Sequence, residues 1–324
     1  MPKGLDNLLT EKLQEIVYMC QSEGDDIAMK VFGLSKETLN RYLREARKRG
    51  MSTSNKGKLI SQIVSNYTDK ELTAIAKGGR IVPGYGKVPI VSFEGQRIRV
   101  GVMTDTHLGH IKMPPERIYQ AFEEFRKEKV DFITHSGDVT EGMSNRPGHI
   151  YELTHLGYAQ QKKLAIDVFS QWTDTDIFAI DGNHDRWFIK SSGAKIVEDI
   201  DSELSNFHFI GHDEGDISLK GKAILKLWHG EDGNSYALSY RLQKILESLT
   251  GGEKPNAMVC GHTHKYVDIF ERHVFCTSAG CMESQTQWMR GKRIAAHTGF
   301  MIIDYWVNDD GICKKTHTWY PFYS

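Results

Sequence analysis

Five short apolar runs in this chain each end on side chains of the kind that bind metal ions, and that recurrence limits its fold more than any other feature. The first run, residues 98–103, closes on Asp105-Thr106-His107. In an extended backbone residues i and i+2 point to the same side, so Asp105 and His107 are expected to reach one ion from the strand's end. One such pair means little, because a polar strand-to-loop turn explains it equally well. Four more clusters follow: Gly137-Asp138, Gly182-Asn183-His184-Asp185, His229-Gly230 and Gly261-His262-Thr263-His264. Each pairs a glycine with a His, Asp or Asn side chain after a β-type run, and five coincidences of that kind are improbable.

The ordered set Asp105-x-His107, Gly137-Asp138, Gly182-Asn183-His184-Asp185, His229 and Gly261-His262-x-His264 resembles the calcineurin-like metallophosphoesterases, the two-metal phosphatases and nucleases. The stretch from Asp105 to Gly109, together with Asn145-Arg146-Pro147, looks most like the DNA-repair exonuclease branch. The resemblance implies an α/β fold, a four-layer α-β-β-α sandwich. It implies two divalent transition-metal ions, with manganese expected first and iron, zinc or nickel as alternatives, since mixed His, Asp and Asn donors suit such ions. By the family pattern Asp138 bridges the pair, Asp105, His107 and His264 complete one shell, and Asn183, His229 and His262 complete the other. His184 is implied as the acid serving the departing oxygen, oriented by Glu141 or by its rival Asp185. The exonuclease branch often carries histidine where Glu141 stands, a departure that bears on exonuclease activity.

With 324 residues and 40% hydrophobic content, the chain can build one large core or two domains. Its five cysteines are an odd number with no C-x-x-C pair, which fits a reducing cytosol better than a disulfide framework. The start of the chain shows no signal-peptide pattern, and no apolar run approaches the ~18 residues that span a bilayer. A soluble, cytoplasmic protein without a membrane partner is expected, and its oligomeric state is not legible.

A net charge of −1 hides a basic stretch: residues 36–58 hold eight Lys and Arg against two Glu. A solvated helix face is the ordinary explanation, and a polyanionic partner the functional one. Here the pattern predicts a helix over 5–20, a short helix capped by Asp25 or Asp26, a turn at Gly33, and a helix capped by Ser35 that runs to Arg49. Leu39, Tyr42, Leu43 and Ala46 form the apolar stripe of that last helix. Lys36, Asn40, Arg41, Arg44 and Arg47 fall on its open side. This is a small all-α, helix-turn-helix-like unit in which Asn40 and Arg41 would meet bases and the other cations phosphates, DNA more than RNA. A helical bundle for protein contact is the competing interpretation. A capping box at Thr68-Asp69-Lys70-Glu71 and a glycine-rich stretch, 78–86, place the domain boundary near residue 85, giving domains 1–85 and 86–324.

In the second domain, helices are expected over 115–129, 153–172 and 234–249, with a strand-rich end after His264. His110, Arg146 and His149 lie beside the motifs and are candidates for holding substrate phosphates. Trp187 and Phe188 suit base stacking or, more simply, core packing; Trp288, Arg290, Lys292 and Arg293 are candidates to line the cleft. The expected activity is hydrolysis of phosphodiester bonds in DNA or RNA by a nucleophile that two metals activate. A phosphomonoesterase or small-nucleotide phosphodiesterase is the alternative, and a non-catalytic DNA-binding regulator a third.

Overall fold

The computed structural model describes residues 10–51, 88–231, 233, 235–250 and 252–323. The chain divides into two compact units, Met1–Val82 and Pro83–Ser324, each described here by itself. The expected capping box, the glycine-rich stretch and the cut near residue 85 lie outside the described residues, as do Leu8 and Leu9 of the first expected helix.

Among its described residues the first unit packs three helices, α1 (Thr10–Ser22), α2 (Asp25–Phe32) and α3 (Lys36–Lys48). Their facing stripes meet in one core of Leu13, Ile16, Val17, Cys20, Ala28, Leu39, Leu43 and Ala46. Gly33 adopts a left-handed conformation, φ 62°, that turns the chain between α2 and α3. Ser35 then caps α3, its Oγ accepting from the Thr38 N–H at 3.2 Å. Asp25 and Asp26 do not cap α2: Gly24 holds that position, and both carboxylates sit in the first turn, where they complement the helix dipole. Tyr42 is half-buried, whereas Lys36, Asn40, Arg41, Arg44 and Arg47 are all exposed.

The second unit is built on two mixed sheets. Its strands are β1 (Ile90–Val91), β2 (Arg97–Met103), β3 (Phe132–Ser136), β4 (Ile177–Asp181), β5 (Phe207–His212), β6 (Glu214–Leu219), β7 (Ala223–Trp228), β8 (Ala257–Cys260), β9 (Tyr266–Glu271), β10 (Val274–Ala279), β11 (Gly299–Asn308) and β12 (Gly311–Pro321). One sheet runs β12-β11-β2-β3-β4-β5 and the other β1-β6-β7-β8-β10-β9. β2 through β5 are parallel, and β11 closes that sheet antiparallel to β2. Val100, Val102, Phe132 and Ile180 from the first sheet meet Leu225, Leu227 and Val259 from the second in a buried apolar core.

Helices α4 (Glu116–Glu128) and α5 (Gly157–Phe169) cover the outer face of the first sheet, where Phe122, Phe125, Phe169 and Trp172 pack. α8 (Tyr240–Ser248) covers the second sheet through Leu242, Ile245 and Leu246 against Met258, Cys260 and Cys276. This is the expected α-β-β-α layering. Two short helices, α6 (Arg186–Ser192) and α7 (Ile196–Asp201), and the strands β5 and β6, which pass from one sheet to the other, were not foreseen. Two turns or fewer hold too little periodicity to read, and Gly215 and Asp216 weaken the strand signal of β6 that pairing with β7 overrides. Among the described residues, no helix is long and apolar enough to cross a membrane.

Candidate metal centre

The parallel strands β2, β3 and β4, with β7 and β8 of the facing sheet, all end at the same edge of the sandwich, so their terminal loops converge. Backbone bonds tie those loops: the Asp105 N–H donates to the Gly137 carbonyl at 3.0 Å, and the His107 N–H to the Asp138 carbonyl at 3.0 Å. Asp105 and His107 lie beyond the end of β2 in left-handed backbone, with φ of 50° and 43°, rather than on an extended strand. The expectation that alternation aims both at one ion is therefore replaced by a sharper turn. Asp138, His262 and His264 share the left-handed conformation, at 51°, 72° and 55°. Each such residue costs of order 1–3 kcal/mol, strain that clusters where side-chain placement is at a premium.

The neighbouring glycines explain how the loops come so close. A Cβ on Gly182 would lie 2.1 Å from Asp138 Oδ1, and one on Gly261 would lie 2.3 Å from Thr104 Oγ1. Any side chain there would displace a ligand carboxylate or its hydroxyl partner.

Two donor groups result. In the first, His264 Nε2 lies 3.1 Å from Asp105 Oδ1 and 3.1 Å from His107 Nε2. In the second, His229 Nε2 lies 3.1 Å from Asp138 Oδ2 and 3.2 Å from Asn183 Oδ1, which itself is 2.8 Å from His262 Nδ1. Asp138 Oδ2 also stands 3.7 Å from His107 Nε2, so one carboxylate oxygen faces both groups. Its other oxygen accepts from the His184 N–H at 2.8 Å. The seven side chains singled out as ligands are thus brought together, Asp138 between two sets.

These groups fit divalent cations by distance and by charge. Bonds of about 2.1 Å to one ion put adjacent donors about 3 Å apart, the spacing seen here. Asp105, Asp138 and Glu141 are all buried, and every ion-pair partner they have among the described residues is a histidine. Buried carboxylates without Lys or Arg demand another source of positive charge. The imidazoles are also turned to offer lone pairs: His229 Nδ1–H donates to the Ser136 carbonyl at 2.7 Å, and His107 Nδ1–H to Glu141 Oε2 at 2.7 Å. Each leaves Nε2 for an ion.

Residues 98–298, more than half the chain, match the calcineurin-like phosphoesterase superfamily domain. The chain belongs to that superfamily. Its fold is that of a hydrolase of phosphate esters, and its buried His/Asp clusters are the metal-binding groups of such a fold. No curated protein sequence matches it. Among solved structures it is similar to a novel archaeal phosphodiesterase, at 18% identity over 69% of this chain and 100% of that one, TM-score 0.42. YfcE, a phosphoesterase from E. coli, has 18% identity over 68% of this chain and 98% of its own, TM-score 0.38. Vps29 from Entamoeba histolytica, complexed with zinc, has 13% identity over 68% and 99%, TM-score 0.36.

Around the phosphoesterase centre the remaining candidates separate. The His184 Nδ1–H donates to the Glu141 carbonyl at 2.9 Å, with Glu141 Oε2 at 3.3 Å, and its ring lies 3.9 Å from that of Trp187. Burial opposes a charge on His184, but Glu141 and Asp138 push its pKa up to about 10. Burial likewise opposes a charge on His229, which Asp138 raises to about 9. Glu141 is the carboxylate that meets His184. Asp185 instead accepts from the N–H groups of Gly182 at 3.0 Å, Val139 at 3.0 Å and Thr140 at 2.8 Å, and from the Thr140 hydroxyl at 2.8 Å. It clamps the β3 and β4 loops together and makes no contact with the His184 ring.

His110 lines the cavity above the centre, yet it is buried with Nδ1 2.6 Å from Glu283 Oε1. Arg146 lines it too, paired with Glu152. His149 does not line it: the ring is buried behind Glu141, with Nε2 2.7 Å from Oε1. Phe188 is core, as its apolar side chain would suggest.

Two structural cations were missed. Arg241 is buried under the centre, donating to the carbonyls of His229 at 2.6 Å and Gly261 at 3.1 Å. Its signal was an arginine on the apolar stripe of α8. Arg186 gathers Asp181, Asp213 and Glu231 from three loops around Asn183 and His229. Those partners lie up to 45 positions away, and no local pattern announces them.

Proposed function

We propose that this chain is a metal-dependent phosphodiesterase acting on nucleic acid, DNA more than RNA. The observation that carries the reading is a set of three buried carboxylates, paired among the described residues with histidines alone, at an open cavity of about 490 Å³. A pair of divalent ions held by the two donor groups would neutralise the phosphate's charge and lower the pKa of water toward ~7.

The chain's own residues do the rest. Asp138, with one carboxylate oxygen facing both donor groups, would hold both ions. His184, its Nδ1–H committed to the Glu141 carbonyl, keeps Nε2 for the departing oxygen, to which an imidazolium would give its proton. Trp187 against one face of the ring holds that geometry. The nucleic-acid part of the reading draws support from α3, whose exposed face carries Lys36, Asn40, Arg41, Arg44 and Arg47 behind a Gly33 turn.

The purified full-length protein with Mn²⁺ is to be offered labelled single- and double-stranded DNA, RNA, bis-p-nitrophenyl phosphate and p-nitrophenyl phosphate. Chelator-sensitive cleavage of the diester and of a nucleic acid is expected. Turnover of the monoester alone would sink the reading.

A further inference from the structure

The cavity above the centre has two unlike walls. One is ionic, formed by His110, Glu283, Glu152 and Arg146; the other is apolar, formed by Trp288, Met289 and Ile294. The apolar wall is carried by the short helix α9 (Gln287–Gly291) and the turn after it. Thr286 Oγ1 caps that helix by accepting from the Met289 N–H at 3.1 Å. Met289 is buried beneath it, and the Ile294 N–H closes the turn on the Met289 carbonyl at 2.9 Å. A segment pinned at both ends in this way has no folding need to show an indole to solvent, yet Trp288 is 45% exposed. Trp172, Trp187, Trp306 and Trp319 each have a ring or a cation against them. Among the described residues none lies against Trp288 or the half-buried Trp228, so it is exposure that sets Trp288 apart.

Resting on the phosphodiesterase reading, we propose that Trp288, with Met289 and Ile294, is a base-binding subsite that takes the unpaired nucleobase beside the scissile phosphate. The cavity's ~490 Å³ suits a ligand of nucleotide size. A cavity of that volume takes one nucleotide and not a stacked base pair with its neighbours. The base therefore has to be single-stranded, frayed or turned out of its stack before the phosphate reaches the centre. A flat indole face accepts any base by stacking. Opposite it, the Glu283 and Glu152 carboxylates accept hydrogen bonds from sugar hydroxyls or exocyclic amines, and they turn away a second phosphate. The exposed Arg290, Lys292 and Arg293 then track the flanking phosphates outside the cavity.

The test compares wild type, Trp288→Ala and Trp288→Phe full-length protein on a single-stranded oligonucleotide and on the same strand with one abasic residue beside the cleaved linkage. Removing the indole or the base should each cost about tenfold or more in kcat/KM, phenylalanine should recover most of the loss, and removing both should cost no more than one. Losses that multiply, or an abasic strand cut as fast as the intact one by wild type, overturn the subsite and leave the wall to an alkyl or peptide group.

A second readout needs no turnover. A neutral methylphosphonate dinucleotide added to metal-free protein should quench tryptophan fluorescence in wild type and not in Trp288→Ala, with circular dichroism confirming both folded; equal quenching overturns the proposal. Failure to cleave any diester would count against the phosphodiesterase reading instead, with dinucleotide binding still deciding the subsite.

Discussion

The Nδ1 of His107 and the Oε2 of Glu141 lie 2.7 Å apart across 34 residues of sequence, joining a metal-facing imidazole to a carboxylate from the next loop. The same carboxylate meets His149 through Oε1 at 2.7 Å and stands 3.3 Å from His184. Glu141 thus meets three imidazoles at once. Glu141→Gln keeps the shape but loses the charge, so metal affinity should drop about 10- to 100-fold. Titration of Mn²⁺ monitored by calorimetry checks this; unchanged affinity would restrict Glu141 to His184.

His184 lies against the donor groups without belonging to either of the two principal sets. His184→Ala is expected to retain its bound metal while kcat falls by about two orders of magnitude or more. Metal content by mass spectrometry alongside turnover of bis-p-nitrophenyl phosphate separates the two, and an equal loss of metal would make the residue a ligand.

His135 carries a pH dependence that belongs to the fold. Burial, against the pull of nearby Asp105, lowers its pKa from 6.5 to about 3, and Nε2 shares a 2.9 Å bond with the Thr106 hydroxyl. Because the folded-state value is depressed, the unfolded chain binds the proton first as pH falls below about 6.5. Stability is full above that value and declines toward the folded pKa, by about 1.4 kcal/mol per pH unit from this residue. Between pH 7 and 5, urea unfolding should show wild type losing about 2 kcal/mol more than His135→Gln. Parallel losses would mean the ring is protonated in the fold.

The exposed face of α3 makes its own claim. If Arg44 and Arg47 contact phosphates, the double alanine variant should weaken DNA binding and make the slope of log K against log salt shallower by about 0.9 per lost contact. Both side chains point to solvent, so thermal unfolding should shift little. Affinity without salt dependence would return α3 to a protein-contact role.

The sequence announced the convergence of the centre well, because each cluster ends an apolar run that needs burial, and a glycine stands directly beside Asp138, Asn183, His229 and His262. It did not announce the backbone. Asp-x-His reads as strand alternation, whereas Asp105 and His107 are both left-handed, with their N–H groups bonded to Gly137 and Asp138 in the loop after β3. Asp185 resembled a catalytic acid for the same reason. Its four donors come from positions 139, 140 and 182, and only the folded loops reveal that its work is to hold backbone. Arg241 and Arg186 escaped notice because one hides in an amphipathic helix and the other answers to partners scattered along the chain. The layering was more legible, since it follows from alternation of apolar periods over long stretches.

The left-handed backbone at Asp105 and Asp138 also decides what an inactive control should be. Asparagine occupies that region of conformational space almost as comfortably as aspartate, whereas a β-branched replacement such as valine meets a steric penalty of about 1–2 kcal/mol before any ligand is lost. Asp138→Asn therefore silences the chemistry while sparing the scaffold. A bulkier choice would confuse a damaged loop with a missing reaction.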